Sequence, residues 1–125
     1  MEEVDASLDG RRLAQAALEA AEAKKGQDLL LLDMRDVTLV ADYFVLMTGT
    51  SVTHVDTLAD AVEERLLAEG AVLHHREGGR GARWVLLDYG SVVIHIFTDE
   101  VRRYYDLERL WGDAPVLAAS GRARA

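Results

Sequence analysis

Apolar and polar positions along this chain switch between a helical and a strand rhythm. Over residues 7–25, Leu13, Ala17, Ala20 and Ala21 share one stripe, as expected for a helix that approaches a neighbour closely through small side chains. Ser7 or Asp9 is placed to cap its start, Lys24 and Lys25 to sit in its last turn, and Gly26 to stop it. Residues 28–33 are an apolar run bounded by charge, Asp28-Leu29-Leu30-Leu31-Leu32-Asp33, which predicts a buried strand. A connection over 34–41 leads to a second strand at 42–49, rich in β-formers. A second helix then runs from Ser51 or Thr53 to Glu69. Its apolar positions Val55, Leu58, Ala59, Val62 and Leu66 make one helical face, and Gly70 ends it. A third strand follows at 71–76, and Glu77-Gly78-Gly79-Arg80-Gly81 reads as a flexible turn.

The densest apolar block is Trp84-Val85-Leu86-Leu87-Asp88-Tyr89-Gly90-Ser91-Val92-Val93-Ile94-His95-Ile96-Phe97. It predicts two strands folded back on a tight turn, with Gly90 supplying the backbone freedom the turn needs. Strand alternation puts Val93, His95 and Phe97 on one face and Val92, Ile94 and Ile96 on the other. His95 is the one polar residue of that strand, and burial would oblige it to find a partner. A last helix is expected over 99–111. Arg102, Arg103, Tyr104, Tyr105, Glu108 and Trp111 crowd aromatic and charged groups onto it, a mixture that suits a recognition surface better than a chemical site. Residues 114–125 turn small and polar and are expected to be a flexible tail. The predicted order is α-β-β-α-β-β-β-α, an α/β (α+β) fold with a five-stranded mixed sheet covered by helices. It forms a single domain over 1–113.

The 125 residues suffice for one domain with a real core. There is no Cys, hence no disulfide framework and no thiolate metal site. The apolar runs are far shorter than the roughly 20 residues that cross a bilayer. The start, Met1-Glu2-Glu3-Val4-Asp5, is acidic where secretory and organellar leaders are basic, so a cytoplasmic protein is expected. Fourteen basic residues stand against 22 acidic ones, for a net charge of −8. That balance disfavours nucleic acid as the main ligand and suits a basic partner.

Candidate chemistry fails on spacing. His74 and His75 are adjacent in a predicted strand and point to opposite faces, so they do not chelate one ion together; no metal site and no cofactor are expected. Ser51, His95 and Asp88 make a triad only on paper, because the chain has no nucleophile elbow. The Gly78-Gly79-Arg80-Gly81 loop, with Arg76 and Arg83 nearby, is flanked by strands rather than opening a helix as a phosphate cradle does. Gly49-Thr50-Ser51 does lie between a strand and a helix, the place of the Gly-Ser loop of nucleotidyltransferases. Those enzymes also need clustered carboxylates for metal ions. Here Asp56 and Asp60 are four apart on a helix and no Asp-x-Asp occurs. No catalytic residue is assigned.

Five ordered blocks carry a family resemblance. They are Asp42-Tyr43-Phe44-Val45, Gly49-Thr50-Ser51, Trp84 to Gly90, Val93-Ile94-His95-Ile96-Phe97, and Arg103-Tyr104-Tyr105-Asp106-Leu107-Glu108 with Leu110-Trp111. Over roughly residues 8 to 113 the chain resembles the ribosomal silencing factors, the Iojap-like family. It departs from the family pattern at Thr50, where Asn is usual, and at Thr53-His54, where Arg-Gln is usual. The resemblance implies a nucleotidyltransferase-like fold without the catalytic carboxylates, and a non-enzymatic factor. It implies binding to the large ribosomal subunit through a basic ribosomal protein at the subunit-joining face, the one numbered fourteen. Joining of the small subunit is then blocked sterically, which represses translation under nutrient limitation. A homodimer is implied for the free protein. The residues expected to meet the partner are Trp84, Asp88, Tyr89, Tyr105, Glu108 and Trp111. Two rival readings are a nucleotidyltransferase-related enzyme and a dimerisation module with no ribosomal role.

Overall fold

The computed structural model describes residues 6–106, 109 and 111–120. Helix α1 (Ala6–Ala23) leads into β1 (Gln27–Asp33) and β2 (Tyr43–Gly49), and α2 (Val52–Ala68) follows. The chain continues through β3 (His75–Glu77), β4 (Trp84–Asp88), β5 (Val92–Thr98), α3 (Asp99–Tyr104) and β6 (Val116–Ser120). The sheet has six strands in the order β3-β4-β5-β2-β1-β6. It is mixed: β2 and β5 are parallel, and the other pairs are antiparallel.

The α/β expectation holds, with one strand more than the five predicted. The additional strand corrects the expected flexible tail at 114–125. Residues 116–120 pair with β1, Ala119 opposite Leu30 and Ala118 opposite Leu31. Small residues fit there because β1 already carries the bulky Leu side chains on both faces. Residues 121–125 of that expected tail lie outside the described residues.

Helix α2 forms as its pattern requires. Val55, Leu58, Ala59, Val62 and Leu66 are its buried residues, and Ser51 caps it by accepting from the His54 N–H at 3.1 Å. Gly70, at φ +88°, reverses the chain, and the Ala71 N–H returns to the Leu66 carbonyl at 2.9 Å. That closing turn consumes the start of the expected third strand, so β3 begins only at His75.

Helix α1 begins at Ala6, so Ser7 and Asp9 both fall inside it rather than before it. It ends at Ala23, ahead of Lys24 and Lys25. Lys25 takes the left-handed conformation at φ +64°, and the Gly26 N–H reaches the Ala21 carbonyl at 2.8 Å. Gly26 serves close approach instead: a Cβ there would lie 3.2 Å from the Ala21 side chain.

The β4–β5 hairpin turns as predicted, with Gly90 at φ +90° and its N–H bound to Asp88 Oδ1 at 2.8 Å. Two cores result from strand alternation. One lies between the sheet and α1 with α2, and contains Leu29, Leu31, Val45, Met47, Val92, Ile94 and Ile96. The other, on the opposite face, contains Leu30, Leu32, Phe44, Leu46, Val93 and Phe97.

Candidate functional site

The second core is thinly covered. Among the described residues no long helix lies on it, and its outer members Trp84, Leu86, Val101 and Trp111 are only partly buried. At its centre is His95, 5% exposed. Trp84 Nε1–H donates to His95 Nδ1 at 3.2 Å, the partner that a His in an apolar strand requires. Because indole only donates, His95 Nδ1 accepts and the ring proton sits on Nε2. Burial pushes the His95 pKa down to about 4, so the ring is neutral at physiological pH.

Aromatic rings surround this histidine. Phe44 and Trp111 have centroids 4.9 and 5.1 Å from it, and Trp111 meets Phe44 edge-on at 5.1 Å. Trp84 packs on Phe97 at 5.8 Å and on Tyr105 at 5.7 Å. The set continues to the surface through Tyr105 and Tyr104, which are 56% and 82% exposed. Beside them Arg83, Glu100, Val101 and Arg103 line an open groove of about 700 Å³.

The expected long last helix is corrected: α3 stops at Tyr104. Asp106 at φ +51° breaks it, and turns closed by Arg109 N to Asp106 O and Gly112 N to Arg109 O carry the chain onward. Turning there lets Trp111 fold back over Phe44 and His95; a continued helix would carry it away. Arg102 anchors the break. It is 2% exposed, and its Nη1 donates to the Asp28 carbonyl and to Thr48 Oγ1, both at 2.7 Å. Nothing in the pattern of the sequence separates this buried arginine from its exposed neighbour Arg103.

Trp84, Tyr105 and Trp111 thus share one face. Asp88 sits at the end of β4 with one carboxylate oxygen bound in the hairpin turn. Tyr89 belongs to the other layer, 7% exposed in the core under the helices. Its phenol is pushed up to about 12, by burial first and then by Glu63. Glu108 lies outside the described residues. His95 and Phe44 complete the aromatic face without having been named for it; the lone His in an apolar strand was the available signal.

The loop 49–51 and its carboxylates are otherwise engaged. Thr50 N–H donates to His54 Nδ1 at 2.9 Å, and His54 Nε2 reaches the Lys24 carbonyl at 2.8 Å. The two departures from the family pattern, Thr50 and His54, therefore touch each other. Asp56 accepts from the Gly81 N–H at 3.2 Å and Asp60 pairs with Arg80 at 3.2 Å. These bonds pin the hairpin tip that the sequence suggested was flexible, and they engage both carboxylates. Among the described residues, no three His, Asp or Glu side chains gather as a metal site. No described helix is long and apolar enough to cross a membrane.

Fold and site define a mixed-sheet α/β protein that presents an aromatic, half-buried sheet face. The family model for "Ribosomal silencing factor during starvation" matches residues 7–124, and the chain belongs to that family. The ribosomal silencing factor of Bacillus subtilis is 39% identical over 109 residues, 87% of this chain and 92% of its own length. A crystal structure of a Chromobacterium violaceum protein superposes with a TM-score of 0.79 at 35% identity, covering 90% of this chain and 94% of that one. A more distant relative is the mouse protein named for mitochondrial assembly of the ribosomal large subunit. It is 29% identical over 91 residues, 70% of this chain and 40% of its own length.

Proposed function

We propose that this protein binds the large ribosomal subunit through its aromatic sheet face and keeps the small subunit from joining, repressing translation when nutrients are short. The observation that carries the reading is the packing of Trp84 and Trp111 around His95, extended to the surface by Tyr105 against Trp84, on the face away from α1 and α2. Tyr and Trp are the side chains that anchor protein interfaces, because they bury large area at low cost in rotamer freedom. Family membership supplies the ribosome, and the name of the mouse relative points to the large subunit.

The partner is a basic ribosomal protein at the subunit-joining face, the one numbered fourteen, and a net charge of −8 suits it. Asp88 and Glu108 would face its Lys or Arg side chains. The action is steric and consumes no nucleotide; Asp56 and Asp60 are held by the hairpin tip, which favours binding over metal-dependent transfer. The protein works in the cytoplasm as one domain and is a homodimer when free.

Co-sedimentation with purified large subunits, followed by light scattering on addition of small subunits, tests this. Stoichiometric binding and slowed joining are expected. Normal joining at saturating protein, or nucleotide turnover at enzyme-like rates, would overturn it.

A further inference from the structure

His95 is more than nine-tenths buried, and only one of its two ring nitrogens is satisfied. Nδ1 accepts from Trp84, so Nε2 carries the proton and is a buried donor with no acceptor. The rings of Phe44 and Trp111 beside it offer at most a weak N–H to π contact. An unpaired donor costs stability, and Val93 and Phe97 on the same face carry no such group. A donor left over in a core calls for a reason.

The second observation lies next to it. A cavity of about 220 Å³ opens between Leu30 and Leu32 of β1, Leu46 of β2, Val116 of β6, and Trp111 with Gly112. Among the described residues no charged side chain lines it. Leu46 stands opposite His95 in the parallel β2–β5 pair, and the Trp111 ring lies 5.1 Å from the imidazole. The two nitrogens of an imidazole point in nearly opposite directions. With Nδ1 turned to Trp84 on β4, Nε2 is directed to the other side, where β2 and Trp111 lie. Trp111 therefore borders both the unpaired donor and the cavity. It sits in a turn, and its side chain is only partly buried.

We propose that the aromatic face captures an aliphatic side chain of its ribosomal-protein partner in this cavity, and that Trp111 turns aside so that the His95 Nε2–H donates to the backbone carbonyl next to that side chain. The occupant follows from the lining. An apolar cavity takes a leucine-sized group and leaves a phosphate or carboxylate without a counterion. A neutral imidazole N–H needs only a neutral acceptor, and a peptide supplies a carbonyl at every residue. A net charge of −8 draws a basic protein to this face. The inference rests on the large-subunit reading for the identity of the partner; the unpaired donor and the cavity do not.

The test titrates the isotope-labelled full chain with N-acetyl-leucine N-methylamide, which carries the side chain and carbonyls of one residue, and with its glycine analogue. The leucine compound should shift Leu46 and the Trp111 indole and move the His95 Nε2–H downfield, in the millimolar range that a molecule of this size reaches. Val116→Phe, at a position 56% exposed, should fill the cavity and abolish those shifts. His95→Asn keeps an oxygen for Trp84 where Nδ1 stood and has no donor at Nε2; His95→Gln offers both. Thermal unfolding verifies that each variant is folded. Affinity for large subunits should fall about tenfold in Val116→Phe and in His95→Asn, and His95→Gln should recover most of the loss. The proposal is overturned by absent shifts with the leucine compound, by equal shifts with the glycine analogue, or by the same shifts on concentrating the protein alone, which would make the occupant a second copy. Wild-type subunit binding in Val116→Phe overturns it too. If the wild-type protein binds no subunits, the large-subunit reading falls, and the cavity is judged by the leucine titration.

Discussion

His95 is buried with one ring nitrogen committed to Trp84, and the fold holds it neutral with a pKa near 4. The unfolded chain binds that proton near the ordinary value of about 6.5. Between these two values the unfolded state carries more protons, so stability rises with pH. The contribution is complete above about 6.5 and drains away as pH falls toward 4, on the order of 3 kcal/mol in all. Urea unfolding between pH 4 and 7 should show this slope in the wild type and lose it in His95→Gln, which stays uncharged and keeps an acceptor for Trp84. Equal slopes in the two proteins would remove the explanation. Arg102 is the second residue on which much depends. Its Nη1 holds the Asp28 carbonyl and Thr48 Oγ1, and its guanidinium lies over the Phe97 ring at 5.5 Å. Arg102→Ala leaves those buried acceptors without their donor and should cost about 3 kcal/mol or more. Arg102→Lys should rescue it only in part, because the ammonium offers donors for both acceptors but ends one bond short of Nη1 and lacks the planar face that lies over Phe97. Denaturant midpoints decide both points.

Among the elements, α2 shows most directly how the local sequence specifies the structure. Ser51 accepts the His54 N–H at the helix start, and the following stripe is fully buried. Ser51→Ala should therefore lower stability by about 1 kcal/mol, while Ser51→Gly should cost only a few tenths. Equal midpoints for wild type and the alanine variant would mean that the cap contributes nothing. The β3–β4 hairpin is specified differently. Gly78 sits at φ +87°, and a Cβ there would lie 2.5 Å from the Trp84 carbonyl oxygen, so only glycine fits. The tip beyond it reads as flexible from composition, yet Asp56 and Asp60, some 20 residues away on α2, hold it. A Gly-rich turn is mobile only when nothing nearby offers it a partner.

At the scale of the whole molecule, the two sheet faces are treated unequally. α1 and α2 cover one, while the other ends in rings that reach solvent at Tyr105 and Tyr104. Tyr105→Ala, which removes an exposed ring, should leave the fold intact and weaken large-subunit binding by about 2 kcal/mol if that ring is an anchor. Trp111→Ala should cost both binding and stability, since Trp111 also packs on Phe44. Association should slow as salt rises, because an acidic protein approaching a basic one is screened. Stopped-flow rates measured from low to physiological ionic strength check this, and a flat profile would argue against an electrostatic contact.

What the sequence determined by itself was whatever lies within a few residues of its cause. The α2 stripe, the turn at Gly90 and the split of β5 into a His95 face and an Ile94 face all follow from periodicity and one glycine's freedom. The five blocks also carried the family, because their order survives where single motifs would not discriminate. Tertiary structure decided what depends on residues far apart. Residues 116–120 are too small and plain to announce a strand, and they become β6 because β1 offers an open edge. The helix after Thr98 stops at Tyr104, with Asp106 in the left-handed region at φ +51°, and its Arg102 reaches into the core to Asp28 and Thr48, residues far away in sequence. Trp84 and Tyr89, five positions apart, end on opposite sides of the sheet, since strand alternation turns one toward His95 and the other toward the helices. Sequence proximity grouped those two as one surface; the pleat, which sends neighbouring side chains to opposite faces, separated them.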